Sequence, residues 1–187
     1  MNQIYIGNSK DHPVLAYENA LLCYVYGRVT LNTEGFLFLL PSTLYLFHQA
    51  VEISIKTLFR IKNFPYKNYG PEGHKIHSLL TTAVGSKLFS ERLNYLLNNK
   101  DLIEILKAMD TTYLGNKYEY PEYNLIGVPL RDSMDDIIYI IFEEVNLILK
   151  SNNHALAVLN VPESCEKLFL HKLKHPISYC ALRSRED

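Results

Sequence analysis

The chain has 187 residues, of which 48% are hydrophobic and 21% are charged, and its formal net charge is −1 at pH 7. This length and composition are typical of one globular domain with a sizeable apolar core. The near-zero charge argues against a protein that binds nucleic acid mainly through a broad basic surface, but it is compatible with a local basic site.

The cysteines and the first residues give an expectation about location. Cys23, Cys165 and Cys180 are odd in number and form no CxxC pair, so we expect free thiols in a reducing cytosol rather than disulfides or a zinc site. No signal peptide is evident at residues 1–4. The most apolar stretch, residues 36–47, is interrupted by a proline and is shorter than the roughly 18 to 20 residues of a membrane span. We therefore expect a cytoplasmic protein without a membrane segment.

Apolar residues at helical spacing predict the first half of the chain. After an N-terminal arm at residues 1–12, a stripe of mostly small residues at spacings of three and four predicts a helix over residues 13–31. The next helix, residues 41–62, is apolar on more than one side, which is typical of a central position in a bundle. Residues 63–73 hold two prolines and two glycines and are predicted to form a loop.

The second half is predicted to contain shorter helices and one strong final helix. Helices are expected over residues 74–84, 88–97 and 101–114, with Gly115 as a C-terminal cap, and the last two are either separate or one bent helix. A tyrosine-rich irregular stretch follows. Ser133 is predicted to be the N-cap of the last helix, which ends near residue 151.

Residues 153–187 are predicted to form either two short strands flanking a helix or irregular structure. The fold class is therefore predicted to be all-α. We expect an up-and-down bundle of four to five helices over residues 13–152, followed by a small C-terminal extension.

Three motifs occur in order along the predicted bundle. Residues 44–52 read LYLFHQAVE and are followed by Lys56, residues 73–80 read GHKIHSLL, and residues 117–123 read KYEYPEY. They resemble the signature helix "hxxQAVEKxLKAL", the "GHxLxxLL" element and the "RYPD"-type segment of the HEPN family, the higher eukaryotes and prokaryotes nucleotide-binding domain. The resemblance covers about residues 13–152.

This resemblance implies a helical bundle that is often dimeric. It also implies binding of nucleotides or RNA, a nucleotidyltransferase partner, or metal-independent cleavage of RNA. The catalytic branch needs an arginine followed four to six residues later by a histidine, because the histidine moves a proton at the 2′-hydroxyl or leaving oxygen and the arginine stabilises the phosphate charge. The arginines that lack a histidine at this spacing are Arg28, Arg60, Arg92, Arg131, Arg183 and Arg185. We therefore expect the non-catalytic branch, with no catalytic residue and no cofactor.

Histidines near the first two motifs are the first candidates for a site. His48 and Glu52 lie one helical turn apart and form either a ligand-binding or acid–base pair, or a hydrogen-bonded pair that fixes helix packing or a dimer contact. His74 and His77 are three residues apart and, with His48, could supply metal ligands. Because no Glu-x-x-His motif supports such a site, we expect no metal.

Two further segments are candidates for binding a nucleotide. Residues 70–75, GPEGHK, lead into a helix N-terminus, where backbone N–H groups and Lys75 would suit a phosphate; an ordinary loop and cap is the alternative. A second group combines cations with rings that stack on a nucleobase: Lys117, Tyr118, Tyr120, Tyr123 and Arg131. Ordinary packing is the alternative for these tyrosines, since the chain has 14 tyrosines and no tryptophan.

Together these patterns predict a non-catalytic HEPN-like module that binds a nucleotide or RNA, forms a homodimer and has a nucleotidyltransferase as a partner. Two alternatives stay open. One is an interaction or dimerisation scaffold without a ligand. The other is a divergent metal-independent ribonuclease or toxin-like protein that uses His48, His74 or His77.

Overall fold

The computed structural model of the chain describes residues 12–32, 36–118 and 130–152. These ranges contain six α-helices and one short 3-10 helix at Pro71–His74. The α-helices are α1 (Pro13–Asn32), α2 (Phe36–Ile61), α3 (Ile76–Gly85), α4 (Arg92–Asn98), α5 (Lys100–Tyr118) and α6 (Leu130–Ser151). No strand occurs in the described ranges, so the predicted all-α fold is confirmed.

The first two helices pack closely and antiparallel. The hydroxyls of Thr30 on α1 and Thr43 on α2 lie 2.8 Å apart. Gly27 is one turn before Thr30 and Phe47 is one turn after Thr43, and a Cβ at Gly27 would lie 2.7 Å from the Phe47 ring. The two contacts advance toward the C-terminus on one helix and toward the N-terminus on the other, so the two helices are antiparallel. Glycine at position 27 is therefore required by the close approach of the Phe47 ring.

The four long helices alternate in direction. Helix α6 is antiparallel to α1, and α5 is antiparallel to α2, so α1, α2, α5 and α6 run up, down, up and down as the sequence predicted. The pairs that define these directions are Tyr17 with Phe142, Tyr24 with Asp135, Tyr45 with Tyr113, and His48 with Asp110.

The predicted apolar faces form the core between these helices. The central helix α2 packs on α1, α3, α5 and α6, which explains why it is apolar on several sides. The predicted face residues that are buried are Leu44, Phe47, Val51, Ile55 and Leu58 on α2, Leu102, Ile105, Leu106, Met109 and Tyr113 on α5, and Met134, Ile137, Ile138, Ile141, Val145 and Ile148 on α6.

Two helix starts differ from the prediction. Helix α2 begins at Phe36 rather than at Pro41. The helix continues through this proline, although a proline beyond the first turn removes a backbone hydrogen bond and disfavours the helix. Helix α6 begins at Leu130, so Ser133 is a buried residue inside the helix and not its N-cap.

Two further boundaries also differ. Helix α4 begins at Arg92 and not at residue 88. Helix α5 continues through Gly115 to Tyr118, because the helix penalty of one glycine, about 1 kcal/mol relative to alanine, is too small to end a long helix by itself. The break between α4 and α5 falls at Asn99, so these are separate helices.

Three predicted segments lie outside the described residues. They are residues 1–11 of the N-terminal arm, residues 119–129 of the tyrosine-rich stretch, and the extension at residues 153–187. Within the ranges that are described, no helix combines the length and the apolar character that crossing a membrane requires.

Candidate binding site between α2 and α5

A group of polar and aromatic side chains lies where α2, α5 and the 3-10 helix meet. We call it the polar cluster, and it consists of His48, Glu52 and Lys56 from α2, His74 from the 3-10 helix, and Asp110 and Tyr113 from α5. All of these side chains are buried except His74, whose side chain is 25% exposed. The cluster is therefore an interior polar site that reaches the surface at one histidine.

The carboxylate of Glu52 links α2 to the 3-10 helix. Its Oε1 atom lies 2.6 Å from Nζ of Lys56, one helical turn along α2, and 3.0 Å from Nδ1 of His74. A buried carboxylate needs such partners because the loss of water destabilises its charge. Glu52 therefore fixes both the cation and the orientation of the His74 ring.

Asp110 plays the corresponding part on α5. Its Oδ1 accepts the backbone N–H of Ile76 at 2.7 Å, and its Oδ2 accepts that of His77 at 3.2 Å. The same Oδ1 lies 3.2 Å from Nε2 of His48. The N-cap residue of α3, Lys75, makes no side-chain cap, so a carboxylate from another helix caps α3 in its place. Two of the N–H groups expected to suit a phosphate are thus already bound by the chain's own carboxylate.

Aromatic rings cover the cluster. The Tyr113 ring stacks on His48 with centroids 4.0 Å apart and planes 2° apart, and it stacks on Tyr45 at 5.3 Å. The His74 ring lies 5.8 Å from the same tyrosine, tilted by 34°. Tyr45 is 44% exposed, whereas His48 is fully buried. Tyr45 and His74 are therefore the side chains through which a ligand would reach the Tyr113 ring.

Two atoms inside the cluster have unused hydrogen-bonding capacity. Nδ1 of His48 and Oε2 of Glu52 are buried and 3.6 Å apart, and neither has a hydrogen-bond partner within the described ranges. Nor do any three histidine, cysteine, aspartate or glutamate side chains of residues 12–32, 36–118 and 130–152 converge as metal ligands. The unpartnered atoms and the stacked rings provide groups for hydrogen bonding and for stacking.

The loop before His74 is held against the core. Phe59 of α2 stacks on the Phe64 and Tyr66 rings at 5.3 and 5.2 Å. A Cβ at Gly73 would lie 3.1 Å from the Lys67 carbonyl oxygen, so a larger residue would require the loop backbone to move by a few tenths of an ångström. Gly73 therefore favours the close approach between this loop and the 3-10 helix that carries His74.

The structure brings together only some of the predicted site residues. His48, Glu52 and His74 meet in the polar cluster, whereas Lys75 forms an ion pair with Glu72 near the surface. For Lys117, Tyr118 and Arg131 the structure describes the helical backbone only, and Tyr120 and Tyr123 lie outside the described residues.

Several cluster members were not predicted as site residues. Lys56 is one of them, and it is buried although it is charged, because its ammonium forms an ion pair with the Glu52 carboxylate. Tyr45 precedes His48 by three residues and Asp110 precedes Tyr113 by three, so each pair shares a helix face. The spacing predicts that the two residues of each pair lie on one helix face, but it does not predict that the face of α2 packs on the face of α5.

Comparisons with known proteins add no identification. No family model matches the chain, and no curated protein or solved structure is significantly similar to it. The site is therefore interpreted from its own geometry.

Proposed function

We propose that the protein is a non-catalytic, HEPN-like helical module that binds a nucleotide or RNA at the surface next to the polar cluster. The observation that carries this proposal is the arrangement of Tyr45 and His74 around the Tyr113 ring. An exposed ring and a fixed imidazole at one place match the two parts of a nucleotide, a flat base and a polar sugar phosphate.

The aromatic part of the surface supports base stacking. Tyr45 is well exposed and is backed by the buried Tyr113. Stacking of a base on an aromatic side chain is worth about 1 to 3 kcal/mol. A rigid support beneath Tyr45 reduces the entropy that the ring loses when a base binds.

The polar part supports phosphate binding. His74 is followed directly by Lys75, which is 40% exposed and forms an ion pair with Glu72. Lys75 lowers the pKa of the Glu72 carboxyl. Exposed ion pairs of this kind contribute little, so a phosphate can replace the Glu72 carboxylate as the partner of Lys75 at small cost.

The resemblance to the HEPN family adds two expectations to this proposal, a homodimer and a nucleotidyltransferase partner. The cysteines and the first residues add a third, a cytoplasmic location. Light scattering after gel filtration tests the dimer, which we expect at about twice the chain mass of 21.6 kDa.

Binding is tested by isothermal titration and thermal shift with AMP, ATP and a short single-stranded RNA. We expect binding by the wild-type protein and weaker binding by His74→Ala and Tyr45→Ala. The matched controls are His77→Ala, which removes a neighbouring histidine outside the polar cluster, and Tyr95→Ala, which removes an exposed tyrosine of α4. Both controls should bind like the wild type.

Two results would contradict the proposal. One is the absence of binding to all three ligands. The other is binding that His74→Ala and Tyr45→Ala weaken no more than their controls do, because the ligand would then occupy another surface.

The rival proposal is a protein-interaction or dimerisation scaffold without a small ligand. It is favoured by one observation: Asp110, rather than an outside anion, holds the first N–H groups of α3. A dimer that binds no nucleotide would support this rival.

The proposal of a divergent ribonuclease or toxin-like protein has less support. General acid–base cleavage of RNA requires histidines that reach the substrate, and His48 is fully buried under the Tyr113 ring. RNA cleavage that His74→Ala abolishes would revive it.

A further inference from the structure

We infer that His74 reads the 2′-hydroxyl of a ribose, so that the proposed nucleotide site prefers ribonucleotides to deoxyribonucleotides. This inference rests on the proposed function, since it names the part of the ligand that one imidazole nitrogen recognises. Its basis is the hydrogen bond between Nδ1 of His74 and Oε1 of Glu52, 3.0 Å apart.

The hydrogen bond to Glu52 determines which nitrogen of His74 carries the hydrogen. A carboxylate accepts hydrogen bonds and donates none, and Lys56 Nζ, at 2.6 Å, donates to the same oxygen. The hydrogen shared between His74 and Glu52 therefore belongs to Nδ1. In the neutral ring, Nε2 then carries a lone pair and is a hydrogen-bond acceptor.

The Nε2 atom is the part of His74 that is left for a ligand. Within the described ranges, the hydrogen bond of the His74 ring is the one that Nδ1 makes with Glu52. The side chain is 25% exposed. Because Nε2 is an acceptor, it pairs with a hydrogen-bond donor on the ligand and disfavours a phosphate oxygen at the same position.

The 2′-hydroxyl is the donor that fits this position. Tyr45 and His74 both lie beside the Tyr113 ring, so we expect the sugar of a base stacked on Tyr45 to come within reach of His74. Within an RNA strand the 3′-hydroxyl is esterified and the 2′-hydroxyl keeps its hydrogen, which is how proteins distinguish RNA from DNA. Glu52 acts as a positioning residue because it fixes the tautomer of His74 without contacting the ligand.

The test compares AMP with 2′-deoxy-AMP and 2′-O-methyl-AMP by isothermal titration at about pH 8. The 2′-O-methyl analogue keeps the oxygen and lacks the donor hydrogen. We expect both analogues to bind about fivefold to tenfold more weakly than AMP, as one lost hydrogen bond predicts. His74→Ala should remove this difference, and His77→Ala should preserve it.

A second measurement needs no ligand and remains informative if binding fails. Two-dimensional ¹H–¹⁵N correlation spectra of the histidine rings should show His74 as the Nδ1–H tautomer in the wild type, and Glu52→Gln should release that preference. An Nε2–H tautomer in the wild type would overturn the inference. Equal affinity for AMP and both analogues would also overturn it while leaving the proposed function intact, whereas no nucleotide binding at all would overturn the proposed function itself.

Discussion

Within residues 12–32, 36–118 and 130–152, two groups of charged side chains lie between long helices, and one of these two groups reaches the surface. Between α1 and α6, Asp135 Oδ1 accepts the Tyr24 hydroxyl at 2.6 Å and lies 3.2 Å from Nε of Arg28, and all three residues are fully buried. We call these three residues the sealed cluster. The polar cluster between α2 and α5 has similar chemistry, but it extends to the surface at His74.

Under the proposed function, this difference separates a cluster that only holds helices together from one that also binds a ligand. The three side chains of the sealed cluster are fully buried and therefore inaccessible to a ligand, and their contacts join α1 to α6. The polar cluster also fixes helices, through Asp110 and Glu52, but it holds an imidazole at the surface. Mutations should therefore affect stability in the first cluster, and both stability and binding in the second.

The largest expected effect is on the sealed cluster. Arg28→Met removes the guanidinium that lies 3.2 Å from the buried Asp135 carboxylate, which should lower the free energy of unfolding by about 3 to 5 kcal/mol. Urea unfolding followed by circular dichroism measures this change. The matched control is Arg92→Met, because Arg92 is 56% exposed and lies 3.8 Å from Glu143, and it should cost less than about 1 kcal/mol. Equal losses for the two variants would contradict the distinction between a sealed and an exposed ion pair.

The second largest effect is expected at alkaline pH, where the stability should fall because of two tyrosines of α1. Burial, reinforced by Glu143 for Tyr17 and by Asp135 for Tyr24, raises the pKa of both phenols. Above about pH 10 the unfolded chain loses these protons while the folded chain keeps them, so stability falls by about 1.4 kcal/mol per tyrosine for each pH unit. Burial also raises the pKa of the Cys23 thiol. This thiol therefore also lowers the stability as pH rises, and its effect begins at a lower pH than that of the tyrosines.

Urea unfolding at several pH values measures this dependence, in a Cys23→Ala background that removes the thiol. Tyr17→Phe and Tyr24→Phe should each make the fall of stability with pH less steep by the contribution of one proton, about 1.4 kcal/mol per pH unit. A slope that neither substitution changes would show that these two phenols do not control alkaline unfolding.

A smaller loss is expected when α3 loses its cap. Asp110→Ala removes the acceptor for the Ile76 and His77 N–H groups and a partner of His48, which should cost about 2 kcal/mol. Hydrogen exchange should accelerate at residues 76 and 77 more than in α6. Asp101→Ala, at an exposed position in the first turn of α5, is the control. Uniform acceleration across all helices would instead indicate a general loss of stability.

The same two clusters show what the sequence could predict. Apolar spacing predicted the helices and their buried faces, because burial of an apolar stripe depends on a local pattern. His48 and Glu52 were found because they are neighbours on one helix. Asp110 was missed because its partners are 62 residues away at His48 and 34 residues away at Ile76, and only the packing of α5 on α2 brings them together. For the same reason nothing in the sequence linked Arg28 to Asp135.

The smallest effect on stability, combined with a measurable effect on binding, is expected for Lys75. Its ion pair with Glu72 is exposed on both sides, so Lys75→Met should change the free energy of unfolding by less than about 1 kcal/mol. If Lys75 contacts a phosphate, the same variant should weaken ATP binding and reduce the dependence of affinity on salt concentration. Lys107→Met, at an exposed position on α5, should leave both unchanged. Isothermal titration at two salt concentrations measures the affinity for ATP and its dependence on salt. Equal effects of the two lysine variants would show that the phosphate is attracted by the overall charge of the protein and is not bound next to His74.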